Sequence, residues 1–463
     1  MKRVIKKVAV LGSGVMGSRI ACHFAGVGLQ VLLLDIAPKD LPGDATTAQK
    51  NQIVNDALAA AIKSNPSPVY HKDVIKKITT GNFTDNMKDI AGADWIIEVV
   101  VERRDIKQSV FTEVEKHRKP GTLITSNTSG IPIHMMAEGR SEDFKKHFCG
   151  THFFNPPRYL RLLEIIPTPH TAPEVVDFLM HYGDLYLGKT TVLAKDTPAF
   201  IANRIGVFGM MAIMNTMEKL QLSIDEIDAL TGPVIGRPKS ATFRTADVVG
   251  IDTLVKVAKG VFENCPDDEA KDLFNIPAWL QKIIENNWLG DKTGQGFFKK
   301  VKGADGAKDI QVLNLQTMEY EARKKPKFAT LESAKPIEDL HSRLKVLVSG
   351  TDKAGDFYRQ FHYALFSYIS HRIPEISDEV YRVDDAMMAG FGWEIGAFES
   401  WDVMGVAKTT EAMKAAGYSV ALWIDDMIAA GVKSFYKVEN GKRLYYDVAS
   451  KPIKHYQEEK PLL

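Results

Sequence analysis

The sequence predicts an α/β domain with a doubly wound, mostly parallel sheet, followed by two related all-α domains. Three observations lead to this fold class. Apolar strand-like runs alternate with helical stretches up to about residue 194, no comparable strand run follows before residue 300, and the last third weakly repeats the middle third. The predicted domains are 1–195, 196–300 and 346–445, with a connector rich in Lys, Ala and Pro at 301–345 and a tail at 446–463.

The first domain begins with a strand–helix–strand unit. Residues 4–11 form an apolar strand, a Gly-rich turn leads into a helix near 15–27, and a strand from Val31 ends at Asp35. A helix over 47–63 follows. Two further strands, 95–101 and 123–125, flank a helical stretch at 105–118. This alternation is typical of parallel sheets with helices on both faces.

The second domain is predicted to begin at Asp196-Thr197-Pro198. Asp or Thr at a helix N-cap with Pro at the first helical position is a strong start signal, and a long apolar helix follows. Asp225–Gly250 then resembles Asp384–Gly405, with the best match between TADVVG and SWDVMG. Phe435-Tyr436-Lys437 more loosely repeats Gly294–Lys299. We interpret these matches as duplication of one helical unit, although chance similarity remains an alternative for so short a core.

Composition narrows the class of protein. The formal net charge is +1, so we expect no overall electrostatic attraction to nucleic acid or to anionic membranes. The three cysteines (Cys22, Cys149 and Cys265) form no CxxC pair, so neither a disulfide framework nor a metal site is expected. No apolar run approaches the roughly 18 residues of a membrane helix. We expect a cytoplasmic protein that does not bind membranes or nucleic acid.

The glycine pattern Gly12-Ser13-Gly14-Val15-Met16-Gly17 follows the first strand and opens the first helix. In a dinucleotide fingerprint, the first glycine permits the turn, the second admits the pyrophosphate, and the third lets helix and strand pack closely. Asp35 lies 18 residues after Gly17, where an acid binds the ribose hydroxyls. No Arg follows Asp35, so NAD is favoured over NADP. A structural turn with a solvated Asp is the simpler alternative.

A histidine and a glutamate are candidates for acid–base chemistry. Oxidation of an alcohol needs a base near the hydroxyl, and histidine is suited to this at neutral pH. Glu164 lies 12 residues after His152 within an apolar run, where an unpaired carboxylate is costly. A pair with Glu164 would fix the imidazole tautomer. Spacing alone favours a hydrogen-bonded core histidine and an edge glutamate, because linear separation cannot show contact.

Further motifs give the sequence a family resemblance. In chain order they are Ser126-Asn127-Thr128-Ser129, His152-Phe153-Phe154-Asn155-Pro156, Leu163-Glu164 and Asp196-Thr197-Pro198-Ala199-Phe200-Ile201-Ala202-Asn203-Arg204. Their identity, order and spacing resemble the 3-hydroxyacyl-CoA dehydrogenase family over residues 5–300, and the repeat at 350–440 resembles that family's helical domain. The chain is most similar to the dehydrogenase portion of long bifunctional fatty-acid oxidation proteins. The resemblance implies a Rossmann-type NAD domain and reversible, NAD-dependent oxidation of (S)-3-hydroxyacyl-CoA to 3-ketoacyl-CoA in β-oxidation.

The resemblance also implies roles for individual residues. His152 would be the general base, oriented by Glu164, and Ser129 and Asn203 would hold the substrate oxygen or thioester carbonyl. The residues implied at the cofactor are Gly12, Gly14, Met16, Gly17, Asp35, Val100, Val101, Glu102, Lys107, Ser129 and Asn155. Simpler interpretations are a solvated helix face for Lys107, a turn for Asn155 and core packing for Met16. Lys50, Lys63 and Lys72 could meet CoA phosphates, but no motif selects among them.

Several alternatives and partners follow from this assignment. The chain could be another two-domain NAD dehydrogenase, although a nucleotide-sugar type needs a thiol and Cys265 has no supporting motif. It could also be a catalytically silent NAD-binding relative resembling a lens crystallin. The expected substrate is an acyl-CoA thioester. The two helical copies predict a monomer with an internal pseudo-dimer, with a homodimer as the alternative, and a hydratase domain would lie in a longer parent chain.

Overall fold

The computed structural model describes residues 3–302, 308–449 and 456–459. The described residues form two compact units, one up to residue 200 and one from residue 201 to residue 459. Within the described residues, no helix is both long enough and apolar enough to cross a membrane.

The N-terminal unit alternates strands and helices. Its strands are β1 (Lys7–Leu11), β2 (Gln30–Asp35), β3 (Ile78–Asn82), β4 (Trp95–Glu98), β5 (Leu123–Ser126), β6 (Phe148–Phe153), β7 (Leu162–Pro167) and β8 (Thr190–Leu193). Its helices are α1 (Val15–Gly26), α2 (Thr47–Lys50), α3 (Gln52–Lys63), α4 (Phe83–Asn86), α5 (Arg104–His117), α6 (Ile133–Ala137), α7 (Glu142–Lys146) and α8 (Pro173–Leu185).

The eight strands form one sheet in the order β3-β2-β1-β4-β5-β6-β7-β8. All neighbours are parallel except β6 and β7, which run antiparallel. The central strands are almost fully buried, which explains their continuous apolar runs rather than alternating patterns. The prediction of a doubly wound, mostly parallel sheet is confirmed. The strand order reverses at β1, so the loops after β1 and β4 flank the usual ligand crevice.

The long apolar helix of the second unit begins later than predicted. Helix α9 spans Ala202–Leu220, so Pro198 is not its first residue. The carboxylate of Asp196 instead accepts the backbone N–H groups of Ile133 and His134, both at 2.8 Å, at the start of α6. The predicted N-cap at Asp196 or Thr197 is therefore wrong, because Asp196 satisfies the N-terminus of a different helix.

The second unit is mainly helical. Its helices after α9 are α10 (Ile224–Leu230), α11 (Phe243–Val249), α12 (Ile251–Asn264), α13 (Ala278–Glu285), α14 (Ala329–Ala334), α15 (Leu340–Ser349), α16 (Lys353–Arg372), α17 (Val380–Phe391), α18 (Ala397–Met404), α19 (Val406–Ala415) and α20 (Leu422–Ala429). It also contains β9 (Phe298–Lys302), β10 (Lys308–Asn314) and β11 (Glu319–Ala322), and β12 (Tyr436–Glu439), β13 (Lys442–Tyr446) and β14 (Tyr456–Glu458).

Equivalent hydrogen bonds show that this unit contains a duplication. Asp247 in α11 accepts the backbone N–H groups of Phe297 and Phe298 at 2.8 and 2.9 Å. Asp402 in α18 accepts those of Phe435 and Tyr436 at 2.7 and 2.9 Å. In the first copy this contact joins α11 to the start of β9, and in the second copy it joins α18 to the start of β12. Each of these strands belongs to a three-stranded antiparallel sheet. The aspartate in the TADVVG and SWDVMG motifs is thus a structural residue that links helix and sheet.

A second aspartate corrects the alignment of the repeat. Asp384 accepts the N–H groups of Phe398 and Glu399, and Asp228 accepts those of Phe243 and Arg244. The partner of Asp384 is therefore Asp228, not Asp225 as the sequence alignment places it. The alignment is wrong at this point because Asp225, Glu226 and Asp228 lie close together in the sequence. Only their hydrogen bonds in the structure show which of them matches Asp384.

The described part of the segment 301–345, which is predicted to be a connector, contains secondary structure that belongs to the first copy. It contains β10, β11 and α14, and β10 pairs with both β9 and β11 to complete the sheet of the first copy. The assigned tail begins within β13 and contains β14, whereas residues 450–455 and 460–463 lie outside the described residues. Short exposed strands rich in Lys and Glu lack the apolar alternation that sequence reasoning uses to detect strands.

Candidate active site

The glycines of the fingerprint occupy the turn between β1 and α1. Gly12 has φ of +106°, and a Cβ there would lie 2.5 Å from the carbonyl oxygen of Val99. A Cβ on Gly17 would lie 1.8 Å from the carbonyl oxygen of Gly12. A Cβ on Gly14 would meet no atom within 4 Å. Gly12 and Gly17 are thus required by packing, whereas Gly14 borders open space at the helix N-terminus, where a pyrophosphate can approach the backbone.

Asp35, at the end of β2, contacts this turn directly. Its Oδ2 accepts the backbone N–H of Ser13 at 2.6 Å and the Ser13 hydroxyl at 2.5 Å, and its Oδ1 accepts the N–H of Ile36 at 2.7 Å. The carboxylate is partly exposed. A negative charge at this point suits ribose hydroxyls and repels an added 2′-phosphate, so the residues present fit NAD.

A buried lysine and two glutamates lie together at the end of β4 and in the segment that follows it. The Lys107 ammonium lies 2.8 Å from Glu98 and 3.2 Å from Glu102, with the Lys107 side chain only 1% exposed. Glu98 also accepts the Ser126 hydroxyl at 2.5 Å and the Val100 N–H at 2.6 Å. The interpretation of Lys107 as a solvated residue is wrong. Two carboxylates therefore face this buried side chain.

Glu102 connects this cluster to the loop after β5. Its Oε1 accepts the Thr128 hydroxyl at 2.5 Å and the N–H groups of Ser129 and Gly130 at 3.1 and 2.8 Å. Burial acts to raise the pKa of Glu102, but Lys107 and these donors outweigh it and hold that pKa below its usual value. Burial raises the pKa of Glu98 despite the opposing effect of Lys107. The ionised Glu102 therefore fixes the backbone that carries Ser129.

His152 and Glu164 are in contact. They face each other across the antiparallel pair β6 and β7, and the Nδ1 of His152 lies 2.7 Å from the Oε2 of Glu164. Glu164 is fully buried, and the His152 side chain is 7% exposed. The rings of Phe154 and Phe200 lie 4.6 and 5.6 Å from the imidazole. This contact overturns the simpler interpretation of two separate residues, and it fixes the orientation of the imidazole with Nδ1 toward the carboxylate.

The remaining implied residues are distributed around these groups. Asn155 is exposed and accepts a hydrogen bond from Arg19 of α1 at 2.6 Å. Met16 packs partly against the core of the sheet, which supports its packing interpretation. Val101 is 60% exposed in the loop after β4. Asn203 is the second residue of α9 in the other compact unit, where it is half-buried.

Sequence reasoning did not assign roles to several polar residues of this site. Glu98 and Ser126 end neighbouring parallel strands and hydrogen-bond each other, and Thr128 joins the same network through Glu102. Polar residues at the carboxyl ends of adjacent parallel strands were the available signal. Arg19 gave no signal, because its contact with Asn155 spans 136 positions of sequence.

Family models match most of the chain in two consecutive segments. Residues 7–197 match the 3-hydroxyacyl-CoA dehydrogenase NAD binding domain, and residues 200–300 match the 3-hydroxyacyl-CoA dehydrogenase C-terminal domain. A probable 3-hydroxyacyl-CoA dehydrogenase of Deinococcus radiodurans is 45% identical over 298 residues, which cover 64% of this chain and 84% of that protein. The chain belongs to the 3-hydroxyacyl-CoA dehydrogenase family. Its N-terminal unit is the NAD-binding domain of that family.

Other members of the 3-hydroxyacyl-CoA dehydrogenase family are similar over more of the chain. A probable 3-hydroxyacyl-CoA dehydrogenase of Bacillus subtilis (strain 168) is 44% identical over 455 residues, or 96% of this chain, and the chain spans only 57% of that relative's length. The crystal structure of 3-hydroxybutyryl-CoA dehydrogenase from Escherichia coli K12 covers 92% of this chain with a TM-score of 0.62, and the match covers 98% of that structure at 20% identity. This last similarity concerns the fold, including both helical copies.

Proposed function

We propose that the chain catalyses the reversible, NAD-dependent oxidation of an (S)-3-hydroxyacyl-CoA to the 3-ketoacyl-CoA. The contact between His152 and Glu164, at 2.7 Å in the NAD-binding unit, is the observation that carries this proposal. A buried imidazole with a carboxylate on Nδ1 can take a proton at Nε2 and hold the resulting charge. That is the proton chemistry an alcohol dehydrogenation needs.

The acid–base step is assigned to His152. In the oxidation direction, Nε2 takes the proton of the substrate's 3-hydroxyl as the carbon–oxygen bond gains double-bond character. The carboxylate of Glu164 keeps Nδ1 protonated and stabilises the imidazolium that forms. In the reverse direction the same imidazolium returns the proton to the carbonyl oxygen. Phe154 and Phe200 beside the ring exclude water and so strengthen this ion pair.

NAD supplies the acceptor for the hydride that leaves the substrate carbon. The residues that fit its binding are Gly14 and the α1 N-terminus for the pyrophosphate, and Asp35 for a ribose. We assign Lys107 a positioning role, because its ammonium is engaged by Glu98 and Glu102. Glu102 in turn holds the backbone of Ser129, whose hydroxyl is assigned to the substrate oxygen. Asn203 is assigned to the same oxygen or to the thioester carbonyl.

The test is NADH consumption with acetoacetyl-CoA by the native chain and by His152→Ala. We expect turnover in the native chain and a loss of at least 100-fold in kcat in the variant, since general acid–base groups contribute about 10²–10⁴-fold. His170→Ala is a matched control, because His170 is an exposed histidine of the same unit. No turnover by a folded native chain, as in a silent relative, or equal turnover in His152→Ala, would contradict the proposal.

The thiol-based alternative is disfavoured by the surroundings of Cys265. This cysteine is buried, and burial raises the pKa of its thiol, whereas a nucleophilic cysteine needs a lowered pKa. A thiol-dependent oxidation would be abolished by Cys265→Ser. We expect Cys265→Ser to retain the turnover of the native chain.

We further propose that the second helical copy replaces a dimer partner. Helix α9 of the first copy packs against α16 of the second, where the rings of Phe208 and Tyr368 stack at 3.7 Å. A contact within one chain needs no second subunit, so light scattering should give a monomer. An obligate dimer formed through residues 201–300 would overturn this part of the proposal. We also propose that the protein is cytoplasmic and that a longer parent chain carries a hydratase domain.

A further inference from the structure

A large cleft in the second compact unit has a strongly basic lining. It lies in the first copy, between α10, α11 and the sheet of β9, β10 and β11, and its volume is about 790 Å³. This volume lies within the range of small-molecule sites. We name it the basic cleft. Its charged lining residues are Lys239, Arg244, Lys299, Lys300, Arg323, Lys324 and Lys325 against Asp225, Asp228 and Asp291.

Two of the aspartates hold the arginines of the basic cleft in place. Arg244 forms two hydrogen bonds of 2.7 Å with Asp291, and the Nε of Arg323 donates to Asp225 at 2.8 Å. Among the described residues, the hydrogen bond found for the Arg323 guanidinium is made by Nε and not by the two terminal nitrogens. A guanidinium held through Nε presents these nitrogens as a planar pair of donors, which is the geometry that binds phosphate.

Most lysines of the basic cleft have no carboxylate partner. Within the described part of the chain, no Asp or Glu oxygen lies within 4.0 Å of the ammonium groups of Lys239, Lys299, Lys300 or Lys325. With all three aspartates ionised, the lining still has a net charge of four positive units. Like charges gathered around one cleft repel one another, and a bound polyanion relieves this repulsion.

The second copy provides an internal comparison. A smaller cleft beside the sheet of the second copy, with a volume of about 420 Å³, contains Glu399 at the position that matches Arg244, and Val438 at the position that matches Lys300. Its Arg443 lies 3.6 Å from Glu399, and its charged lining carries a net charge of one positive unit with histidine neutral. At these matched positions the basic side chains are therefore a property of the first copy's sequence and not a requirement of the architecture.

We infer that the basic cleft binds a nucleoside polyphosphate, with the phosphates on its lysines and Arg323. Phe298, Ile310 and Pro326 give the lining an apolar part, which suits the nucleoside. Two sources share this chemistry, namely a free adenine nucleotide and the 3′-phosphoadenosine diphosphate portion of CoA. The inference does not depend on the proposed reaction, since no residue of the cleft belongs to the NAD-binding unit.

The test is calorimetric titration of the full chain with ADP, CoA and tripolyphosphate in saturating NADH. The double variant Lys300→Glu/Lys325→Glu reverses two exposed charges of the basic cleft, and Lys345→Glu/Lys437→Glu makes the same change in the second copy. We expect one ADP site that weakens at least tenfold in the first double variant, is unchanged in the second, and weakens with added salt. The melting temperature should be unchanged in both.

The ligands distinguish the source and can overturn the inference. CoA binding that is tighter than that of ADP and is weakened in Lys300→Glu/Lys325→Glu identifies a site for the substrate carrier, and tighter binding of ADP identifies a site for free nucleotides. Equal binding of tripolyphosphate and ADP would show that no nucleoside is recognised and would overturn the stated ligand class. Binding of poly-glutamate without nucleotide binding would assign the cleft to an acidic polypeptide instead. An ADP affinity unchanged in Lys300→Glu/Lys325→Glu would refute the site itself.

Discussion

Replacement of Glu164 by glutamine tests the electrostatic part of the proposed mechanism. The change removes one negative charge but preserves the shape of a side chain that is fully buried. The glutamine oxygen can still accept a hydrogen bond from Nδ1 of His152, so we expect the variant to fold. What it loses is the attraction between carboxylate and imidazolium, which exists only when His152 holds the substrate proton.

The magnitude follows from the distance between the two groups. The nearest atoms lie 2.7 Å apart. Two unit charges about 4 Å apart interact by roughly 4 kcal/mol at an effective dielectric constant of about 20. Since about 1.4 kcal/mol corresponds to a factor of ten in rate, kcat for oxidation should fall about 10³-fold. The affinity for NADH should be unchanged, because the fingerprint turn is formed by Gly12–Gly17 and held by Asp35, and the substitution alters none of these residues.

The assay is steady-state oxidation of (S)-3-hydroxybutanoyl-CoA with NAD at neutral pH, combined with fluorescence titration of NADH. Glu174→Gln is the matched control, because Glu174 is an exposed glutamate of α8 in the same unit. The reasoning is refuted if folded Glu164→Gln retains kcat within threefold of the native value. An equal loss of kcat in the control would show that the effect is not specific to the pair.

Three further predictions concern the scaffold of the site and the repeat. Lys107→Met leaves the carboxylates of Glu98 and Glu102 without their cation and should lower the free energy of unfolding by about 3–5 kcal/mol in chemical denaturation. Adding Glu98→Gln to this variant should recover part of the lost stability. A decrease in the free energy of unfolding below about 1 kcal/mol in Lys107→Met would contradict the buried ion pair. Gly14→Ala should leave the melting temperature nearly unchanged, because the new methyl group meets no protein atom, and it should weaken NADH binding, because the methyl group occupies the space beside the helix N-terminus. Gly12→Ala should lower the melting temperature, because its methyl group would collide with the Val99 carbonyl. Equal melting temperatures of the two variants would contradict this distinction. Burial raises the pKa of Asp384 to about 7, so the folded chain holds a proton there that the unfolded chain releases near pH 4, and stability should fall as pH rises between these values. From pH 5 to pH 7 the contribution of Asp384 to the free energy of unfolding should change by at most about 1.4 kcal/mol per pH unit. Urea unfolding at several pH values should show that Asp384→Asn lacks this contribution. If the free energy of unfolding of the variant depends on pH as steeply as that of the native chain, the prediction is refuted.

Local patterns in the sequence were sufficient for the cofactor turn. Gly12, Gly14 and Gly17 act within one turn, and Asp35 ends the strand next to it. Such contacts depend on short stretches of chain whose geometry residue type largely determines, so spacing alone predicted them. The alternation of apolar strands and helices likewise predicted the parallel sheet, because burial on both faces requires continuous apolar runs.

Tertiary structure decided the contacts that cross between elements. His152 meets Glu164 only because β6 and β7 run antiparallel in one particular register, and a shift of one residue would place the two side chains on opposite faces. The sequence pattern predicts an exposed helix residue at Lys107, whereas in the structure its side chain is buried against Glu98 and Glu102. Asp196 has the local signature of a helix cap but caps another helix.

The fold class and the cofactor turn were therefore determined by the sequence itself, since their physical causes act over a few neighbouring residues. The acid–base pair, the buried lysine and the small sheets of the duplicated unit were decided by the tertiary structure. Their stabilisation comes from partners distant in sequence, as with the 50 positions that separate Asp247 from Phe297. Hydrogen bonds and ion pairs of this kind depend on the positions of atoms in space, which residue spacing does not specify.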